Sequence, residues 1–247
     1  MLACLQRHPF EVKAFFKQSI VLTFAFPKEI LEICIPPCLK LDTFKDKWAF
    51  IAIAFVETEK LRLAALPDFL GRNFVLSGYR IFVTYNNANG KRLRGLYILQ
   101  SETNSKMMNL MGRVLTRYQY HFTDINIVNQ NNNIFIKSVK SDYHVQAIKH
   151  DNDEIKLPVH SPFESWKEAR RFAGPLPFTF SYDDKTKKVL IVEGARENWK
   201  PAPLEIINYH IPFFRKKNLQ EPVLANAFII ENIPYTWKKG KIEQWKG

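Results

Sequence analysis

The sequence predicts an α+β fold, mainly antiparallel β, in which a closed or strongly curved barrel carries a few short helices. Three observations lead there. About ten segments read as strands from their β-branched and aromatic content. Turn-forming runs join neighbouring strands as hairpins, at Asn86–Gly90, at Asn129–Asn133 and at the DDKT of residues 183–186. There is no alternation of strand and long helix of the kind a parallel, doubly wound sheet requires.

The elements follow in order. Residues Pro9–Gln18 suggest a short helix with Val12, Phe15 and Phe16 on one face, and Ser19–Phe26 a strand. Pro27 suits the start of a short helix that Pro36–Pro37 closes. Lys47–Glu57 alternates large apolar residues with Ala49, Ala52 and Ala54, which predicts a buried strand with close neighbours on its alanine face. Leu61–Gly71 reads as an irregular loop. Asn73–Tyr85 and Leu93–Ser101 form a hairpin. Asn104 is placed to cap a helix over Ser105–Thr116. Tyr118–Val128 predicts one strand, with Tyr118, Tyr120 and Phe122 on one face and Gln119, His121 and Thr123 on the other. Strands over Asn133–Val139 and Tyr143–His150 follow, then a polar loop to Pro158 and a helix over Pro162–Phe172 closed by Gly174–Pro175. Leu176–Tyr182 pairs with Lys187–Glu193, and Pro222–Ile233 is a late strand. The basic tail from Trp237 is expected to fray. Residues 1–247 read as one domain; the loop from His150 to Pro158 is the best candidate boundary, but nothing in it demands a cut.

Bulk properties narrow the function classes. With 46% hydrophobic residues and 20 Phe, the 247-residue chain has ample material for a core. The longest apolar run, near Trp48–Val56, falls well short of the ~20 residues of a membrane helix. Three cysteines, an odd and low count, fit a reducing, cytoplasmic setting. Cys34 and Cys38 have no third ligand nearby and read as buried thiols, and the six histidines are scattered, so no metal and no cofactor are expected. The net charge of +12 is spread evenly over the two halves. It reads as a solvated basic surface, and no zinc-finger, RRM or KH signature accompanies it, so nucleic acid is not the expected partner.

A few polar residues stand out. Arg80 lies within the apolar strand VLSGYRIFVTY, and Arg113 on a helix rich in Met and Leu. An arginine in such surroundings needs a carboxylate or phosphate partner, from the protein or from a ligand. For Arg80 an internal ion pair is the simpler reading; for Arg113 a carboxylate-binding role weighs equally. Glu102, where a strand meets a helix start, either caps that helix or faces a pocket.

The stretch NGKRLRGLYILQSETNSKMMNLMGRVLTRYQYHF, with GYRIFV before it, resembles the acetoacetate decarboxylase-like superfamily, and within it the YqjF-like branch, domain of unknown function 2071. PKEILEICIPPCLKLDTFKDKWAFIAIAF and FESWKEARRF resemble earlier and later parts of the same branch. The resemblance implies a barrel enclosing a small-molecule pocket. It also implies a test of chemistry, because the decarboxylases form a Schiff base on a lysine whose neighbouring lysine lowers its pKa. The Gly-Arg of their helix is kept as Gly112–Arg113, but the Glu that follows is Val114 here. Their lysine pair falls at about Tyr120–His121, and no lysine lies between Lys106 and Lys137. Their strand Glu falls at about Arg80. The branch's own pattern is altered too, at Leu76, Gly78 and Arg117.

Schiff-base decarboxylation is therefore not expected. The leading expectation is binding of a small carboxylate in a cavity headed by Arg113 and lined by Tyr118, Tyr120, Arg80 and Glu102. If the tyrosines line it, His121 points elsewhere. A second possibility is an enzyme using Tyr120 or His121 in acid–base chemistry. A third is a basic interaction protein binding RNA or an acidic partner. Self-association is left open.

Overall fold

The computed structural model describes residues 7–150, 155–174, 176–197, 199–219 and 222–247. In chain order the elements are β1 (Val12–Pro27), α1 (Lys28–Glu32), β2 (Lys40–Leu41), β3 (Trp48–Leu63), a 3-10 turn (Asp68–Leu70), β4 (Arg72–Asn86), β5 (Arg92–Thr103), α2 (Lys106–Leu115), β6 (Tyr120–Phe122), β7 (Asn126–Gln130), β8 (Asn133–Ser138), β9 (Tyr143–Lys149), α3 (Trp166–Phe172), β10 (Phe178–Asp183), β11 (Lys188–Arg196), β12 (Ala202–His210), α4 (Phe213–Lys216), β13 (Val223–Trp237) and β14 (Lys241–Gln244). None of the helices is long and apolar enough to cross a membrane.

The strands are hydrogen-bonded in the order β14-β11-β10-β5-β4-β3-β1-β13-β12-β9-β8-β7. Pairing is antiparallel except where β10 and β6 each run parallel to β5. One further ladder matters most for the site. β11 also pairs with β13, Gly194 opposite Trp237, Ala195 opposite Thr236 and Arg196 opposite Tyr235. The path from β11 through β10, β5, β4, β3, β1 and β13 thus returns to its start.

The period of two along β3 separates two environments. Ile51, Ile53 and Phe55 are fully buried and pack with Ile20, Leu22 and Phe24 of β1 and Tyr79 and Ile81 of β4. Ile136 of β8 and Val145 of β9 belong to the same core, so the β7–β9 sheet covers this face. Ala52, Ala54 and Val56 point the other way and line a cavity. The alanine face that the sequence places against close neighbours instead leaves open volume. A second core, of Phe50, Phe82 and Phe163, seats α3. Phe50 and Phe163 stack there at 5.4 Å, and Ser165 caps the helix through the Glu168 N–H.

Several expectations are corrected. Val12–Gln18 is strand, not helix: the β1–β3 ladder shifts register between Lys13 and Phe15 and again between Phe16 and Gln18. Such bulges break the period of two and imitate helical spacing. Ser105, not Asn104, caps α2, accepting from the Met108 N–H at 3.2 Å, while Asn104 bridges the Val75 N–H and the Ile125 carbonyl. Tyr118–Val128 is two short strands, β6 and β7, and Gln119 before them has φ 47°. Phe122 does not join the tyrosines in the cavity: its ring is exposed, and the ammoniums of Lys106 and Lys140 lie over it. The loop read at Leu61–Gly71 begins as the end of β3 and contains the 3-10 turn. The helix near Phe172 starts at Trp166; Pro175, read as part of its stop, lies outside the described residues, as do Cys4 and the acidic residues 151, 153 and 154.

The tail is ordered. β14 pairs with β11, and Glu243 is buried, accepting from the Ala88 N–H at 2.8 Å and the Tyr85 hydroxyl at 3.1 Å, with Lys241 at 2.7 Å. Burial opposes its charge, but these partners hold the Glu243 carboxyl below the usual range. A depressed carboxyl stabilises the fold at neutral pH, and that stability is lost as pH falls through the lowered value. Glu243→Ala is therefore expected to lower stability by about 1–3 kcal/mol at pH 7 in urea titrations. A frayed tail would make the substitution silent.

Candidate functional site

A cavity of about 280 Å³ lies against the Ala52 face of β3. β1 contributes Phe16, Ser19 and Val21; β4 contributes Leu76, Arg80 and Phe82; β5 contributes Leu96, Ile98 and Ser101. α2 closes one side with Met108, Met111 and Leu115, and β13 brings Ile230, Ile233, Tyr235 and Trp237. Most of this lining is aliphatic or aromatic. No Asp, Glu or Lys is among the described residues that line it.

Three arginines interrupt the apolar lining: Arg62 is ion-paired with Asp68, whereas Arg80 and Arg196 have no carboxylate partner among the described residues. Arg80 projects from the middle of β4, and its Nε is buried with no hydrogen-bond partner among the described residues. Arg196 ends β11, its guanidinium 4.3 Å above the Trp199 ring and 5.9 Å from that of Tyr235. Burial lowers the pKa of both, the phenols of Tyr235, Tyr120 and Tyr118 counteract this at Arg80, and Arg80 itself disfavours the charge on Arg196. No carboxylate counts among these influences, and a guanidinium stays protonated even so. The cavity thus holds two cations within reach of each other's field, faced by π-systems and phenols. The Trp199 indole N–H is likewise buried without a partner.

The tyrosines are donors at neutral pH. Burial pushes Tyr120 up to about 12 against the pull of Arg80, and raises Tyr118 further. Tyr118 keeps partial solvent contact only because it faces the hollow.

The residues singled out in the sequence divide. Arg80, Tyr118 and Tyr120 meet in the cavity. The left-handed Gln119 between the two tyrosines resets the strand phase. His121 is exposed and does not line the cavity, as the face argument requires once the tyrosines do. Arg113, expected to head the pocket, sits on the exposed side of α2, while its neighbour Gly112 lines the wall. The cavity face of α2 is Met108, Met111, Gly112 and Leu115, and the ~100° step per residue carries Arg113 beyond its edge. Glu102 neither caps α2 nor reaches the cavity. It lies on the opposite face of β5 from Ser101, buried and accepting from the hydroxyls of Ser77, Tyr79 and Ser141 and from Gln100 Nε2. Arg196, Trp199 and Tyr235 were not legible as site residues. Arg196 carries the same signal as Arg80, an arginine closing an apolar strand, but that strand reads as ending at Glu193. Pro234 makes β13 read as ending before Tyr235.

Three glycines make this packing feasible. A Cβ on Gly112 would overlap the Tyr120 ring, and one on Gly194 the Tyr235 hydroxyl. At Gly78 it would stand 2.9 Å from Arg80 Nε and 3.0 Å from Nη2. The altered position Gly78 is therefore what accommodates the side-on guanidinium.

Comparison with known proteins agrees with this architecture. The model of the DUF2071 family, described as an uncharacterized conserved protein, matches residues 14–234. Among solved structures, acetoacetate decarboxylase from Legionella pneumophila subsp. pneumophila str. Philadelphia 1 superposes with a TM-score of 0.57 at 12% identity, covering 94% of this chain and 87% of that one. The enduracididine biosynthesis enzyme MppR, complexed with the condensation product of pyruvate and imidazole 4-carboxaldehyde, gives 0.56 at 8% identity over 95% and 88%. An acetoacetate decarboxylase-like enzyme from Sphingomonas wittichii RW1 gives 0.52 at 10% over 96% and 92%. At these identities the likeness is one of fold alone. No curated protein matches the sequence.

The glycine contacts separate two kinds of substitution. Gly112→Ala meets a ring wedged against a helix and is expected to lower stability by about 1–3 kcal/mol in denaturant titrations. Gly78→Ala meets the far end of a flexible side chain. It is expected to leave stability within about 0.5 kcal/mol of wild type, and a crystal structure of the variant should show the Arg80 guanidinium displaced.

Proposed function

The chain belongs to the DUF2071 family, and we propose that it binds a small carboxylate in the cavity of a decarboxylase-like barrel, without Schiff-base chemistry. The observation that carries the reading is the pair of guanidiniums, Arg80 and Arg196, held in an apolar lining that supplies no counter-charge. Buried charge is costly unless it is paired, and a carboxylate matches the planar donor fork of arginine. Arg80 takes the part given to Arg113 by sequence. Its Nε, the Trp199 N–H and the phenols of Tyr118 and Tyr120 offer hydrogen bonds to the same anion. The lining has no lysine to serve as an amine nucleophile. The closing of β11 on β13 supports reading the sheet as a barrel around this volume.

A second reading, as an enzyme, has one observation in its favour. Tyr120 keeps its proton at neutral pH and lies in the field of Arg80, as a general acid beside an anion-holding cation would. Turnover of any bound acid that disappears in Tyr120→Phe, with binding retained, would establish it.

The carboxylate reading is checked by isothermal calorimetry with benzoate, butanoate and a 2-oxo acid. Arg80→Met is expected to weaken binding about 10- to 100-fold, as loss of charge-assisted hydrogen bonds implies. Its thermal stability should equal or exceed that of wild type, because an unpaired buried cation has been removed. Equal affinity in the variant, or no binding of any acid by the wild type, would overturn the reading. Binding should also stay level from pH 6.5 to 9.5. The arginines keep their charge there, Tyr120 loses its proton only near 12, and burial shifts His8 toward its neutral form. Borohydride with a 2-oxo acid should leave the protein mass unchanged.

A further inference from the structure

We infer that the acid this cavity takes is an amphiphile of roughly nine non-hydrogen groups in all, one carboxylate on an unbranched or aromatic apolar body, rather than a short keto acid. The inference rests on the carboxylate reading and adds to it the chemistry of the remainder of the ligand. Beyond the three arginines and the phenols, the described lining has few polar groups: His8, the Trp199 indole and the hydroxyls of Ser19, Thr58, Ser101, Thr116 and Thr179. The rest is aliphatic and aromatic. A four-carbon acid held at the arginines would leave most of that surface without a partner.

Size points the same way. At ~30 Å³ per water-sized group, a cavity of about 280 Å³ takes roughly nine such groups. The space exists because the wall beneath it is built from Ala52 and Ala54, each of which would fill it if larger. The rim is also apolar. Phe10, Leu63 and Met111 line the cavity and are 54%, 38% and 41% exposed, so large hydrophobic side chains stand at the entrance, where the charged lining residue, Arg62, is neutralised by Asp68. Cavity, floor and rim all suit a body that leaves water for an apolar wall, with its one charge drawn in to Arg80 and Arg196.

Calorimetry of the full chain against the straight-chain alkanoates from butanoate to dodecanoate tests this. Affinity is expected to rise about fourfold per added methylene, as full burial implies, and to level off near heptanoate to octanoate, where groups of ~30 Å³ each fill the cavity. Affinity that is flat or falls beyond butanoate would overturn the inference while leaving the carboxylate reading intact. Octanedioate binding more tightly than octanoate would overturn it as well, because a second charge would then be welcome where an apolar end is proposed. Octanol binding as tightly as octanoate has the opposite meaning: the apolar body would stand and the carboxylate reading would fail. Ala54→Phe narrows the floor and is expected to move the best chain length downward by several carbons with butanoate affinity retained. An unchanged optimum in that variant, shown folded by its circular dichroism, would place the chain elsewhere and overturn the assignment.

Discussion

The three-residue ladder between β11 and β13 is the constraint on which the rest depends. In the strand order five strands lie between β11 and β13, and this ladder sets Arg196 directly beside Tyr235. Pairing Arg196 with Tyr235 brings both into the field of Arg80. It is a short ladder, and its geometry is tight: Gly194 stands where any side chain would strike the Tyr235 hydroxyl. Phe16 stacks on Tyr235 at 4.7 Å and Tyr235 lies 4.5 Å from Trp237, so an aromatic column on β1 and β13 backs the closure.

Two faces of the same strands do opposite work. On one, large side chains of β1, β3 and β4 interlock with β8 and β9 and supply the burial that stabilises a fold. On the other, alanine, glycine and small polar residues give that burial up. Arg80 and Arg196, both half-buried, face this second side, and their charge is unfavourable to withdraw from water without an anion. Charge without a carboxylate partner in a region of open volume is a break in the local rules that the rest of the scaffold obeys, and it is this break that motivates the carboxylate proposal.

Much of this was legible in the residues. The antiparallel, hairpin-rich character followed from strand composition and the Asn-Gly turn, and the family followed from the stretch between Asn89 and Phe122. Arg80 was recognised as anomalous because a charge within an apolar strand has few explanations. What failed did so for definable reasons. Bulges in β1 disguised a strand as a helix. The left-handed Gln119 reset a phase that period-two reading carries forward unchanged. Arg113 was favoured over Arg80 because sequence gives a helix's apolar stripe without saying how its edge residues are turned. Closure between strands some forty residues apart, β11 and the end of β13, is a property of the whole sheet, and no local pattern encodes it. The tail was misjudged because its one buried carboxylate, Glu243, finds partners in the distant Tyr85–Ala88 turn.

Glu102, which turned out to face away from the cavity, has a consequence for kinetics. Its hydrogen bonds to Ser77, Tyr79, Gln100 and Ser141 fasten β4, β5 and the β8–β9 connection directly behind the cavity wall. Segments tied by buried hydrogen bonds open only with large parts of the fold, whereas exposed helices and turns open locally at little energy. The back wall is therefore the slow-exchanging part of the molecule, and the rim formed by α2 and the residues near Leu63 is the fast one. For the proposed acid, residence time would follow how often the rim breathes and affinity the rigid wall behind Arg80, so the two properties would be free to vary independently.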